Sequence, residues 1–98
     1  MNSNRKIAAV VNPHSAGGKT ARQWPAIQRA LENRVGPIDA RLTSQKGDGT
    51  NLARALLREG CDLVIAAGGD GTVNEVANGF FESDRPLRPE TCLGILPL

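Results

Sequence analysis

A chain of 98 residues with 40% hydrophobic and 22% charged side chains has the composition of one small globular domain. Its net charge of +2 comes from basic and acidic residues scattered along the chain rather than gathered in blocks, so nucleic acid is not an expected partner. The longest apolar runs are a few residues where about 20 are needed to span a bilayer, which excludes a transmembrane helix and leaves a cytoplasmic protein as the expectation.

The opening Met1-Asn2-Ser3-Asn4-Arg5-Lys6 is basic, but only five apolar residues separate it from Asn12-Pro13, too few for a secretory core. Those residues predict a first strand near 5–11. After a glycine-rich loop the spacing of Trp24, Ile27 and Leu31 predicts a helix over roughly 20–34, ended by Gly36-Pro37. Pro25 sits awkwardly in that helix and predicts either a kink or a regular helix beginning only at Trp24 or Pro25. Gly18-Lys19-Thr20 looks like the end of a P-loop, but five residues before Gly18 stands Pro13, which has no N–H to offer a phosphate. Lys19 therefore reads as a solvated lysine as readily as a phosphate ligand, and His14 reads as an ordinary loop residue.

A second strand is expected near 38–43. The Gly47-Asp48-Gly49-Thr50 that follows comes after Ser44-Gln45-Lys46 rather than a buried strand, so it reads as a solvated loop capping the next helix, with no phosphate to bind. That helix, roughly 50–59, begins at Thr50, buries Leu52, Ala55 and Leu56, and closes at Gly60.

The third strand, near 61–67, runs directly into Gly68-Gly69-Asp70-Gly71-Thr72, a second copy of the same tetrapeptide in a different context. Ligands of open α/β sheets bind beyond the carboxyl ends of strands, and glycines there admit unusual torsions and a close ligand. The helix that follows, roughly 72–81, offers unpaired N–H groups and the positive end of its dipole to an anion. Thr72 is expected to cap it, with Glu75 three residues on completing a capping box, and Val73, Val76, Ala77 and Phe80 form its apolar face. A carboxylate at Asp70 would repel bare phosphate, so it points to Mg²⁺, a ribose hydroxyl or a substrate hydroxyl nearby, or to bracing of the turn. The dinucleotide fingerprint is matched at Gly69 and Gly71 but departs at Asn74.

Ser83 to Glu90 reads as a proline-punctuated loop without function, and a last strand is expected near 92–96. Cys61 and Cys92 stand at strand starts with no metal-ligand spacing, so both are expected to be reduced and structural, and no protein-borne metal site is expected. Alternation of strands and helices predicts an α/β fold, a three-layer αβα sandwich with a mainly parallel sheet.

Gly68 to Thr72, continuing Val73-Asn74-Glu75-Val76-Ala77-Asn78-Gly79, resembles the nucleotide-binding signature of the diacylglycerol kinase catalytic domain. That family includes bacterial lipid kinases and sphingosine kinase relatives, with NAD kinases more distant. Ile7 to Lys19 is similar to the family's opening strand and Asn-Pro loop, and Arg41-Leu42-Thr43 to the place where members present a threonine to the nucleotide. The resemblance implies an ATP-dependent lipid kinase that transfers the γ-phosphoryl group to a lipid hydroxyl, with Mg²⁺ bridging the phosphates. It further implies that Asn12, Pro13, His14, Ser15 and Ala16 flank the nucleotide, that Thr43 completes the pocket, and that Gly68, Gly69, Asp70, Gly71, Thr72, Val73 and Asn74 hold phosphates. Glu75 would stand close to the nucleotide and Asp70 would serve catalysis.

The resemblance covers only the amino-terminal portion of a family member, with residues 1–98 as its nucleotide-binding part. Relatives continue beyond the equivalent of Pro97-Leu98 into Gly-Thr-Ala-Asn-Asp and a β-rich domain with the lipid pocket and a proposed base. The isolated chain is therefore expected to be inactive, to expose apolar surface on its last strand and to self-associate, while the full-length protein meets lipid peripherally at the membrane. An NAD kinase-like enzyme and a non-catalytic nucleotide-binding or regulatory module remain open as alternatives.

Overall fold

Ile7–Val11 forms the first strand, β1, and it is apolar at every position because both of its faces are covered. Ala8 and Val10 turn to one side of the sheet and Ile7, Ala9 and Val11 to the other, each set joining its own core. The computed structural model describes residues 5–98, so the reading of Met1–Asn4 as part of a non-secretory start lies outside the described residues. Among the described residues no helix is long and apolar enough to cross a membrane.

The remaining elements follow in alternation: α1 (Lys19–Val35), β2 (Ile38–Leu42), α2 (Asp48–Arg58), β3 (Leu63–Gly68), α3 (Asp70–Gly79), a small hairpin of β4 (Phe81–Glu82) and β5 (Arg85–Pro86), and β6 (Cys92–Pro97). The four long strands form one parallel sheet in the order β2-β1-β3-β6. Three layers result, as the alternation predicts. On one face α1 lays Trp24, Ile27 and Leu31 against β1, β2 and β3; on the other α2 and α3 contribute Ala53, Leu56, Leu57 and Val76.

The order of the strands decides where a ligand can go. From β1 the chain moves outward through α1 to β2, then through α2 back across β1 to β3 on its other side. Crossovers of one hand running in opposite directions must lie on opposite faces, and they leave a crevice between the carboxyl ends of β1 and β3. The ladder continues past the strand ends, with Asn12 N–H donating to the Ala67 carbonyl at 3.0 Å and Thr43 N–H to the Val11 carbonyl at 2.8 Å. The loops after β1, β2 and β3 are thereby held side by side.

Several local expectations change. α1 runs from Lys19 straight through Pro25, so the helix starts a turn and a half before the proline rather than at it. α2 and α3 each begin two residues earlier than expected, at Asp48 and Asp70, behind Gly47 and Gly69 at the N-cap positions. The first capping reading thus fails at Thr50 and the second at Thr72: both threonines lie inside the first turn. Ala55 is only half-buried, whereas Ala53 and Leu57 are fully buried in α2. Within the expected 83–90 loop Ser83 and Asp84 both take positive φ, 53° and 63°, the conformation of a two-residue hairpin turn, which pairs Phe81-Glu82 with Arg85-Pro86. Cys61 is buried, which pushes its thiol pKa up, and Cys92 is exposed at the start of β6; both are free. Apolar Ile95 on β6 and Leu42 on β2 are exposed at the two edges of the sheet, the former as expected of the last strand.

Candidate functional site

A cleft of about 430 Å³ opens at the carboxyl ends of the strands, in the crevice that the strand order creates. After β1 it is lined by Asn12, His14 and Ser15; after β2 by Thr43, Ser44, Gln45 and Lys46; after β3 by Gly69, Gly71, Thr72 and Glu75. Three loops remote in sequence thus converge on one space.

The first loop is shaped by its own polar groups. Asn12 Oδ1 accepts the His14 N–H at 3.0 Å, and the Asn12 carbonyl accepts both the N–H and the hydroxyl of Ser15, at 3.3 and 3.1 Å. The Ser15 hydroxyl also bonds the buried Thr20 hydroxyl at the start of α1. Ala16 then sits at φ 54°, ahead of Gly17 and Gly18, also left-handed, so the chain reverses into α1 through three consecutive positive-φ residues. Pro13 and Ala16 shape this loop without lining the cleft.

The third loop rests on glycines with two different tasks. A Cβ on Gly68 would lie 2.6 Å from Thr72 Oγ1 and 3.3 Å from Asn12 Cβ, so this glycine permits the close approach of the first and third loops. A Cβ on Gly69 or Gly71 would meet no atom within 4 Å. Nothing in the protein requires glycine there for packing, yet both line the cleft. The first helical bond of α3 runs from Val73 N–H to the Gly69 carbonyl, and no side chain caps the helix. The N–H groups of its first turn are therefore open to an anion at the positive end of the helix dipole.

The second loop is where the sequence misled. The first Gly-Asp-Gly-Thr copy is not a solvated cap: Gly49 is buried, and Gly47 and Gly49 donate their N–H groups to Glu75 Oε2 and Oε1 at 3.0 and 2.9 Å. Glu75 makes this long-range contact in place of a capping box with Thr72. The Asp48 carboxylate accepts from the Ser44 N–H at 2.7 Å, the Ser44 hydroxyl at 2.8 Å and the Gln45 N–H at 3.1 Å, which bends the loop so that Ser44 to Lys46 line the cleft. These bonds, the Ser44 N–H foremost, hold the Asp48 carboxyl below its ordinary value of 3.8. Because the folded-state value is lowered, this stabilisation is complete above the ordinary carboxylate range and is lost as pH falls through the lowered value. The Ser44 and Gln45 amide resonances should accordingly shift together below pH 3.8, and Asp48→Ala should remove that transition.

Of the fourteen site residues expected from sequence, Asn12, His14, Ser15, Thr43, Gly69, Gly71, Thr72 and Glu75 line the cleft. Asp70, Val73 and Asn74 instead line an open depression on the outer side of α3, which meets the cleft at Gly71. Gly68 lies behind the cleft surface, and Lys19 is exposed at the start of α1, away from the cleft lining. Ser44, Gln45 and Lys46 were missed. Their signal was the repeated tetrapeptide, a second helix start facing the first.

Among the described residues no group of three or more His, Cys, Asp or Glu side chains is arranged to hold a metal ion.

The sequence profile of the diacylglycerol kinase catalytic domain matches residues 6–98. Diacylglycerol kinase from Staphylococcus haemolyticus is 41% identical over 95 residues, covering 96% of this chain and 28% of that protein. Diacylglycerol kinase from Staphylococcus aureus is 40% identical over 95 residues, 96% of this chain and 29% of its own length. A crystal structure of a diacylglycerol kinase from Bacillus anthracis superposes with a TM-score of 0.75 at 30% identity, over 95% of this chain and 32% of that one. The chain therefore spans under a third of the length of these relatives.

Proposed function

Because the chain belongs to the diacylglycerol kinase catalytic domain family, we propose that it is the nucleotide-binding part of a lipid kinase that moves the γ-phosphoryl group of ATP to a lipid hydroxyl. The observation that carries this reading is the pair Gly69 and Gly71. Both line the cleft with open space where a side chain would stand, at the uncapped start of a ten-residue helix. That combination suits a triphosphate, whose oxygens accept from backbone N–H groups and whose charge meets the helix dipole.

In this reading the nucleotide lies across the carboxyl ends of β1 and β3, with Asn12, His14 and Ser15 along one side and Thr43 to Lys46 along the other. Lys46 is the lysine on this lining and would offset phosphate charge. The triphosphate would run over Gly71 toward the depression that holds Asp70 and Asn74. Asp70, exposed on that outer side, would stand beside the transferred group, where a carboxylate suits Mg²⁺ or the acceptor hydroxyl. Mg²⁺ would neutralise phosphate charge as the group moves, and it would be carried mainly by the phosphates themselves. The chain's own residues position and screen; they do not form covalent bonds to the nucleotide.

The acceptor pocket and the general base are assigned to the remaining two thirds of a full-length family member, which would also make the peripheral contact with the membrane. The 98-residue chain should then bind ATP yet phosphorylate no diacylglycerol in mixed micelles with Mg²⁺. Transfer of phosphate to lipid by the chain alone would refute this division of labour. The NAD kinase alternative gains no support from the relatives named above.

A further inference from the structure

The two Gly-Asp-Gly-Thr turns hold the same position, each at the start of a helix, but they differ in what satisfies them. At α3 the first-turn N–H groups are uncapped. At α2 an internal carboxylate is already in place: Glu75 takes Gly47 N–H on one oxygen and Gly49 N–H on the other, while the Thr50 hydroxyl donates to the Glu75 backbone carbonyl at 2.8 Å. Gly49 is a glycine for this contact, since a Cβ there would stand 2.8 Å from Glu75 Oε1 and 2.9 Å from Glu75 Cβ. The carboxylate charge is offset by the positive end of α2, so it can sit at the wall of an anion-binding cleft without repelling what enters.

We propose that Glu75 is a positioning residue: it docks the turn from Ser44 to Thr50 onto α3 and thereby holds Lys46 in the cleft wall, and it does not itself contact the nucleotide. This rests on the nucleotide reading above and assigns one of its residues a different task. Thr50, at the end of the turn, is also fixed to α3 through its hydroxyl and its close approach to Gly79, but the Glu75 carboxylate bonds the part of the turn nearest the cleft: Gly47 directly follows the three residues that line it. Releasing the grip frees the wall while leaving the uncapped start of α3 unchanged.

The test combines amide exchange without nucleotide and ATP calorimetry on the 98-residue chain. Glu75→Gln places an amide N–H₂ against one of two N–H donors, so exchange at Gly47 and Gly49 should accelerate by about tenfold. ATP affinity should fall several-fold, Lys46→Ala alone should cause a loss at least as large, and Glu75→Gln should add less than about twofold in the Lys46→Ala background. Fully additive losses would mean that Glu75 touches the nucleotide directly, and unchanged exchange at Gly47 and Gly49 would mean that it docks nothing; either result overturns the proposal. Should Glu75→Gln fail to fold, Gly49→Ala disturbs the same contact with the carboxylate retained, and wild-type ATP affinity in folded Gly49→Ala would equally overturn it. A wild-type chain that binds no ATP would defeat the nucleotide reading instead, while the exchange measurement still decides the docking.

Discussion

Gly71→Asp should leave the chain folded and weaken ATP binding by about 100-fold or more, a loss of about 2.7 kcal/mol. Space and charge both argue for this. A Cβ at Gly71 meets no atom within 4 Å, so the substitution strains nothing in the protein. Gly71 lies where the cleft meets the outer depression, and a carboxylate there would face the approaching phosphates at the helix start that otherwise attracts them. Calorimetry on the folded variant checks it. An affinity within a factor of about three of wild type would remove the α3 turn from the phosphate site.

Gly79→Val should act in the opposite sense, on stability rather than on ligand. At Gly79 α3 packs directly onto the backbone of α2: a Cβ would stand 2.6 Å from the Thr50 carbonyl oxygen and 2.7 Å from Ala53 Cβ. Neither neighbour is a flexible side-chain end, so the helices must part. A valine adds two methyl groups to that conflict. It separates a contact that also aligns Thr50 and Glu75, and overpacking costs about 1–3 kcal/mol, with a clash against backbone at the upper end. Against the stability of about 5–15 kcal/mol usual for a domain, that is a large fraction. Urea unfolding should show the midpoint falling with the slope unchanged, and a midpoint like that of wild type would mean that α2 and α3 are not packed this closely.

The fold was legible where burial on two faces leaves an unbroken apolar run, as in Ile7–Val11 and Leu63–Ala67, and where apolar spacing marks one helix face, as with Trp24, Ile27 and Leu31. Helix starts were less legible for a physical reason. At Thr72 and Glu75 the spacing fits a capping box, yet Glu75 bonds backbone 26 and 28 residues earlier, and a contact across that separation leaves no local trace. The actual N-cap positions are glycines, which carry no side chain to announce them. The cleft floor could be read from a strand entering a glycine-rich turn. Its second wall could not, because Ser44 to Lys46 owe their place to Asp48 and Glu75 rather than to a strand of their own. The hairpin at 81–86 was hidden by proline and charge, which mark a loop but also suit the edge of a two-stranded ribbon.

The central claim is that this chain holds a nucleotide at the carboxyl ends of β1, β2 and β3. A titration of the 98-residue chain with Mg²⁺ and ATP, followed through backbone amide resonances, tests it most directly. The expected result is a saturable shift of Asn12, His14, Ser15, Thr43 to Lys46 and Gly69 to Thr72, with the opposite end of the sheet unmoved. Resonances of those residues that stay in place at saturating ATP, or shifts confined to the apolar groove between Phe80, Phe81 and Leu93, would contradict it.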